Sequence, residues 1–313
     1  MKIVDDFIRD NDRITILSNN GKPTEFPGDW KPVLDSCDIL VAIPDMHMYI
    51  HPQNLDNFKY NADAMLHMLD HLSTLKRMLA RKGKTLRIYQ MGDMYELRFP
   101  GIGGNNATVG EIAMSHIDYS LIFNTLDSMR AHYLYGNHDF EQRHFASYRF
   151  CANEGKVHLE HGFAADKWTD FANPNQPFWE PAQLLFKTMR EVEQFFASLL
   201  VATSVIKKDE HFAMGVKDGA VEQDKYPDDA TYPVKHKGQF DYYSERLVNG
   251  KDNEYDDDDI RICLIAHTHQ PYLNTDIGGG DYVLADAGAW TEGRSDFAVV
   301  TDEEMAICRY ARA

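Results

Sequence analysis

The chain has 313 residues, of which 43% are hydrophobic and 26% are charged. These fractions are typical of a globular protein and exclude a disordered chain, a collagen-like repeat and a disulfide scaffold. The 49 acidic residues outnumber 32 basic ones, and the net charge of −17 argues against nucleic acid or an anionic membrane as the main partner. Bound metal ions can invert such a field locally, so this charge stays compatible with an anionic substrate.

The cysteine pattern and the apolar runs indicate a cytoplasmic protein. None of the four cysteines forms a C-x-x-C pair, which is typical of reduced thiols in the cytosol. The amino-terminal residues show no basic stretch followed by an apolar core, so we expect no signal peptide. The longest apolar run, at 195–206, is shorter than the ~20 residues that a bilayer requires, and we expect no membrane span.

The first half of the chain alternates between strand and helix patterns. Residues 1–36 are polar and predict an amino-terminal extension that lies on the main domain. Apolar residues at helical spacing then predict two helices, at 57–82 and 111–130. Short apolar runs that end in polar residues predict buried strands, at 37–45, 85–91, 131–135 and 156–160. This order predicts parallel βαβ units and an α/β fold.

The second half contains a segment of different composition. Residues 164–258 hold a helical stretch at 180–207 and then a part rich in Tyr, Asp and Pro, which predicts a mostly helical cap inserted into the main domain. The main domain then comprises 37–163 and 259–313.

The end of the sequence predicts more strands. A strand at 260–266 follows the cap. Residues 282–290 and 297–310 predict antiparallel strands that are joined by a turn at 291–295. The three glycines at 278–280 predict a hairpin turn and not a phosphate cradle, because no helix follows them.

Polar side chains follow the predicted strands at the point where each strand ends. In parallel sheets this edge is where ligands bind. The side chains are carboxylates, imidazoles and an amide without any thiolate, which favours manganese, iron, zinc or cobalt. Seven donors are too many for one tetrahedral ion but fit two ions that share a carboxylate. The seven are Asp45, His47, Asp93, Asn137, His161, His267 and His269.

Five motifs give the chain a resemblance to a known family. They are DMH (45–47), GDMYE (92–96), GNHD (136–139), HG (161–162) and AHTH (266–269). In this order they resemble the calcineurin-like metallophosphoesterases over residues 38–300, with the cap unmatched in detail. The resemblance implies an α/β/β/α sandwich that carries two metal ions.

The same resemblance implies a role for each side chain. The first ion would be held by Asp45, His47 and His269. The second ion would be held by Asn137, His161 and His267. Asp93, together with a hydroxide, would bridge the ions. His138 would protonate the leaving oxygen or stabilise the transferring phosphoryl group, and Asp139 would orient His138.

Three details of the motifs bear on the substrate. Because it ends in Glu96, the second motif resembles that of the branch which contains the UDP-diacylglucosamine pyrophosphohydrolases. Those enzymes carry Arg where this chain has His138, so we expect the phosphoesterase chemistry without the lipid substrate. His144 follows the third motif closely and is a candidate substrate contact.

For the fourth motif, we prefer His161 to His158, because His161 lies at the strand end before a glycine.

The expected function is a dinuclear-metal hydrolase of small-molecule phosphate esters, either monoesters or diesters and pyrophosphates, with manganese as the first choice of metal. A metal-dependent nuclease is one alternative, which the negative charge disfavours because a nuclease needs a basic groove. A non-catalytic protein-binding scaffold of the same fold is another, which the complete ligand set disfavours. The sequence leaves the oligomeric state open.

Overall fold

A computed structural model describes residues 1–9, 11–50, 56, 58–97, 107–165, 237–249, 259–291 and 293–311. These residues form two mixed sheets with several helices, which confirms the α/β class. The longer helices are α1 (Ala62–Arg81), α2 (Val109–Ser115), α3 (Ile117–Ser128) and α4 (Lys237–Asn249). Of the predicted cap, only 164–165 and 237–249 are described; the helical stretch at 180–207 lies outside the described residues.

Thirteen strands occur in the described residues. In chain order they are β1 (Ile14–Ile16), β2 (Thr24–Glu25), β3 (Ile39–Ile43), β4 (Leu86–Gln90), β5 (His132–Leu134), β6 (Tyr148–Arg149), β7 (Cys151–Glu154), β8 (Val157–Glu160), β9 (Ile262–Ile265), β10 (Tyr272–Ile277), β11 (Tyr282–Asp286), β12 (Asp296–Thr301) and β13 (Glu304–Tyr310).

The first sheet has the order β1-β13-β12-β3-β4-β5-β6, with β2 also paired to β13. The predicted parallel pairing of β3, β4 and β5 is confirmed. The residues of β3 are all buried, because helices cover one face of the sheet and the second sheet covers the other. The amino-terminal extension is built into this sheet, since β1 and β2 both pair with β13.

The helix predicted at 111–130 is divided into α2 and α3. His116 between them is extended, with φ −146° and ψ 144°, and its Nδ1 accepts a hydrogen bond from the amide of Asp118. This bond caps the first turn of α3 and stabilises the break. Thr108 and Glu111 form a capping box at the start of α2.

The second sheet has the order β10-β11-β9-β8-β7. The hairpin predicted around 278–280 is confirmed, because β10 and β11 pair antiparallel across it. The pairing predicted across 291–295 is wrong: β11 lies in the second sheet, parallel to β9, whereas β12 lies in the first. The antiparallel partner of β12 is β13.

The two sheets pack face to face between outer helices. Leu40 and Ala42 of β3 share one apolar cluster with Leu159 of β8. The alternate residues of β3 face α1, α2 and α3. On the outer face of the second sheet, Phe240 and Leu247 of α4 pack on the strands. The order of layers is therefore helices, first sheet, second sheet, helix. The last layer is α4, which lies within the range predicted as cap and packs on the second sheet. In the described part of the chain, no helix combines the length and apolar character needed to cross a membrane.

Candidate metal centre

The predicted ligands come from both sheets and meet at one edge. Each lies within a few residues of the carboxyl end of β3, β4, β5, β8 or β9. Nε2 of His161, from the second sheet, lies 3.8 Å from Oδ1 of Asp45, from the first. The cluster is sealed from solvent at its base, where Asp45 and His161 are 0% exposed.

The loops that carry the ligands have an unusual backbone. Four ligands adopt the left-handed conformation, with φ of 49° at His47, 48° at Asp93, 72° at His267 and 56° at His269. Residues other than glycine rarely adopt this conformation, and it concentrates at functional sites. The left-handed backbone that these residues share therefore indicates a functional site, in addition to the chemistry of their side chains.

Gly136 allows the side chain of Asp93 to lie very close to the backbone of the GNHD loop. A Cβ atom at this position would lie 2.1 Å from Oδ1 of Asp93 and 2.7 Å from its backbone nitrogen. Asp93 therefore occupies space that a side chain at 136 would fill. The GNHD motif therefore begins with glycine because a larger residue at this position would collide with Asp93.

One donor set consists of Asp45, His47 and His269. Nε2 of His269 lies 3.1 Å from Nε2 of His47 and 3.3 Å from Oδ1 of Asp45. Oδ2 of Asp45 accepts a hydrogen bond from the amide of His267, whereas the buried Oδ1 accepts none from the described residues. A buried carboxylate oxygen that faces two imidazole nitrogens without a hydrogen bond is a suitable metal ligand.

A second donor set consists of Asp93, His161 and His267. Nε2 of His161 lies 3.2 Å from Oδ2 of Asp93 and 3.3 Å from Oδ1 of Asn137. Nδ1 of His161 lies 2.9 Å from the carbonyl oxygen of Met91, to which it can only donate. A neutral His161 therefore presents the lone pair of Nε2 to the cluster, as metal-binding histidines do.

Asp93 connects these two donor sets. A third set in the described residues consists of His47, Glu96 and His138. Oδ2 of Asp93 lies 3.7 Å from Nε2 of His47 and 3.2 Å from Nε2 of His161. Metal–ligand bonds of about 2.0–2.2 Å place neighbouring ligand atoms about 3.4 Å apart in a tetrahedral site, which is close to the separations observed here. The residues present therefore fit divalent cations.

The charges of the cluster compensate one another. Burial opposes ionisation of Asp93, but the imidazoles of His161 and His138 outweigh burial and hold its pKa below the usual value. Burial alone would lower the pKa of His161, yet Asp93 and Asp45 raise it to about 9. Without a metal ion, the two carboxylates therefore favour the protonated form of His161.

The side chain beside His138 is Glu96. Oε2 of Glu96 lies 2.7 Å from Nδ1 of His138 and 3.2 Å from Nδ1 of His47. Burial would raise the pKa of Glu96, but His138 and His47 lower it to about 2, so the carboxylate accepts both hydrogen bonds. The sequence carries a signal for this contact, the acidic end of the GDMYE motif, whereas the predicted support of His138 is Asp139.

Asp139 supports the loops instead. Its carboxylate accepts hydrogen bonds from the amides of Gly136, Met94 and Asp93, at 2.7, 2.9 and 3.3 Å. The predicted contact with His138 is therefore corrected. Burial and the neighbouring charge of Asp93 raise the pKa of Asp139 to about 7.

The structure also places the remaining histidines that the sequence raised. His144 is exposed at the end of a short 3₁₀ helix, Phe140–His144, and belongs to none of the donor sets found in the described residues. His158 is buried away from the cluster, with Nδ1 2.8 Å from Oδ1 of Asn153 and Nε2 3.3 Å from Oε2 of Glu160. The choice of His161 over His158 agrees with this placement.

Asp286 holds the loop between His267 and His269. Its Oδ2 accepts a hydrogen bond from the hydroxyl of Thr268 at 2.7 Å, and its Oδ1 accepts one from the amide of Gly288. Burial raises the pKa of Asp286 well above its ordinary value. Asp286 therefore fixes the turn from which the two imidazoles project.

Comparison with known proteins adds no relative. No protein-family model matches the chain, and no curated protein matches it. Function is therefore inferred from the site itself, since a fold alone does not determine activity.

Proposed function

We propose that the protein is a dinuclear-metal hydrolase of phosphate esters. The observation that carries the proposal is the position of Asp93, whose Oδ2 reaches nitrogen donors of both sets. A shared carboxylate between two nitrogen-rich sets is the arrangement that two-metal hydrolases require. The arrangement of two sheets between outer helices supports the resemblance to the metallophosphoesterase sandwich.

The residues would divide between two ions. Asp45, His47 and His269 would hold the first ion, and Asn137, His161 and His267 the second, with Asp93 between them. Manganese is the first choice, with iron, zinc and cobalt as alternatives, because the donors are oxygen and imidazole nitrogen. When bound, such ions supply a nucleophile at neutral pH and neutralise phosphoryl charge.

His138 is the proposed acid. Its Nδ1 lies 2.7 Å from Oε2 of Glu96, and its ring packs edge-on against the ring of His47, with centroids 4.6 Å apart. Glu96 and Asp93 favour a positive charge on the ring, but burial outweighs them and lowers the pKa of His138. A protonated ring would therefore give up its proton readily to the leaving oxygen. Asp139 contributes indirectly, because it fixes the loop amides around Asp93.

The exposed side chains indicate from which side a substrate approaches. The side chains of His138 and His269 are 19% and 17% exposed, whereas those of Asp45 and His161 are 0% exposed. His267 is partly exposed as well, so a phosphoryl group that enters from solvent would first meet His138, His267 and His269. His138 is thus placed where a leaving oxygen would face solvent.

Metal titration combined with hydrolysis assays tests this proposal. The metal-free protein should bind two manganese ions per chain and hydrolyse an aryl phosphate monoester or diester only when loaded. His67→Ala, an exposed change on α1, serves as the control and should alter neither property. Fewer than two ions at saturation, or no hydrolysis by the loaded protein, would contradict the proposal. Preferential cleavage of single-stranded DNA would favour the nuclease.

A further inference from the structure

A buried charged cluster lies beside His161, on the outer side of the second sheet. Glu160, the last residue of β8, is 0% exposed. Its carboxylate accepts hydrogen bonds from the hydroxyl of Tyr243 at 2.5 Å and from Nη1 of Arg246 at 3.0 Å. Nε2 of His158 lies 3.3 Å away. The ligand His161 is the next residue along the chain.

Apolar contacts already attach α4 to the sheet. Phe240 and Leu247 are buried against Ile265 of β9, and the ring of Phe240 stacks on Tyr272 with centroids 4.1 Å apart. A buried ion pair stabilises a fold no better than apolar side chains of similar volume, but its geometry is more specific. The Glu160 cluster therefore specifies where α4 sits along β8, in addition to the attachment that apolar contacts provide.

His161 is held from the opposite side. Its Nδ1 donates to the carbonyl oxygen of Met91, which follows β4 in the first sheet. The backbone between Glu160 and His161 is thus fixed at two points, by α4 on the outer side and by the first sheet on the inner side. Gly162 then turns the chain away, with φ 115°.

We propose that Glu160 is a positioning residue for the second metal ion. By tying the end of β8 to Tyr243 and Arg246, it sets the direction in which His161 enters the cluster. The donors of the first ion, Asp45, His47 and His269, come from other loops, to which the carboxylate of Glu160 makes no hydrogen bond in the described residues. The inference rests on the proposed function. It predicts that loss of Glu160 weakens the binding of the second ion and not of the first.

The chain offers a closely matched control in Glu154. This residue of β7 is 2% exposed, and its carboxylate accepts hydrogen bonds from Arg87 at 2.6 Å and from Tyr89 at 3.2 Å. It is paired with Val157 at the amino end of β8, whereas Glu160 lies at the carboxyl end. Both carboxylates are buried with one arginine and one tyrosine, but only Glu160 adjoins a ligand.

The experiment is a titration of the metal-free, full-length protein with manganese by calorimetry. Glu160→Gln should weaken one of the two ions by about 10- to 100-fold, the usual effect of losing a residue that supports a ligand, and leave the other at the wild-type affinity. Asn137→Ala identifies the affected ion as the second one. Tyr243→Phe, which removes one hydroxyl, should weaken the same ion to a smaller extent. Glu154→Gln should change neither ion.

If Glu160→Gln folds, two results would overturn the inference while the proposed function stands. One is an equal loss of both ions in Glu160→Gln; the other is an equal effect of Glu154→Gln. If Glu160→Gln does not fold, Tyr243→Phe decides, and two unchanged ions in that variant would overturn the inference. Failure of the wild-type protein to bind two ions would overturn the proposed function, and this inference with it.

Discussion

Glu96 accepts a hydrogen bond from Nδ1 of His138 over 2.7 Å. The same oxygen lies 3.2 Å from Nδ1 of His47, one of the proposed ligands of the first ion. One carboxylate therefore contacts both the proposed acid and a proposed ligand. Measurements of turnover and of metal content should separate these two contacts.

A double-mutant cycle on Glu96 and His138 tests the acid. His138→Ala should retain both ions and lose roughly 10²- to 10⁴-fold in turnover, the usual contribution of a positioned acid. Glu96→Gln should lower turnover in the wild-type background but much less in His138→Ala, because the two residues act as a unit. It should also weaken the first ion through His47. Additive losses of turnover, or loss of metal from His138→Ala, would show that the assignment is wrong.

Replacement of Asp93 should remove more metal than replacement of Asp45. Oδ2 of Asp93 reaches donors of both sets, so Asp93→Ala should weaken both ions, whereas Asp45→Ala should retain more of the second ion. Elemental analysis after dialysis against manganese measures the difference. Equal retention of the second ion in both variants would argue against a bridging carboxylate.

Metal binding should release protons. In the metal-free protein the pKa of His161 is raised from 6.5 to about 9, so its charge stabilises the fold below pH 6.5 and this contribution is lost as the pH rises through about 9. A ligand imidazole must be neutral, so metal affinity should rise with pH up to about 9. Calorimetry at neutral pH in buffers of different ionisation enthalpy counts the protons released. The variant His161→Asn should release fewer protons than the wild-type protein when it binds metal. An equal number of protons would contradict the assignment of His161 as a ligand.

Gly136→Ala should displace Asp93. The added Cβ would lie 2.1 Å from Oδ1 of Asp93, so the loop must move, which we expect to cost about 1–3 kcal/mol of unfolding free energy together with metal affinity. Gly110→Ala in α2 is the control, because its Cβ meets no atom within 4 Å, and it should stabilise the protein by about 0.4–1 kcal/mol. Thermal unfolding and metal content measure both effects. Normal metal content in Gly136→Ala would show that the close approach is not required.

The parts of the fold that could be predicted share one physical property. The strands β3 and β9 are apolar runs that are buried on both faces, and β4 is buried except at Arg87. Polar residues follow each of them closely, so the strands and the proposed ligands at their ends can be located in the sequence. The parallel order of the strands places the proposed ligands of each sheet at one edge, and the packing of the two sheets brings both groups together. The helix α1 could be predicted because one side of it carries the apolar residues.

Other features depend on contacts between distant residues. β1 and β2 are short, lie in a polar segment and exist because β13 offers an edge. β11 pairs with its neighbour β10 and with the more distant β9 in the second sheet, whereas the next strand, β12, joins the first sheet. Glu96 and Asp139 are the last residues of two glycine-containing motifs, and only the turn of each loop determines which carboxylate faces His138. Sequence spacing does not specify that direction.

The position of β12 between β3 and β13 determines when the site can form. During synthesis, Asp45, Asp93 and His161 emerge long before the strand that completes the sheet beside β3. Pairings between such distant segments form slowly, because a long loop must close first. The proposed ions would therefore find all their ligands only in the finished fold. Binding at that stage stabilises the native state by mass action and cannot guide the early steps of folding.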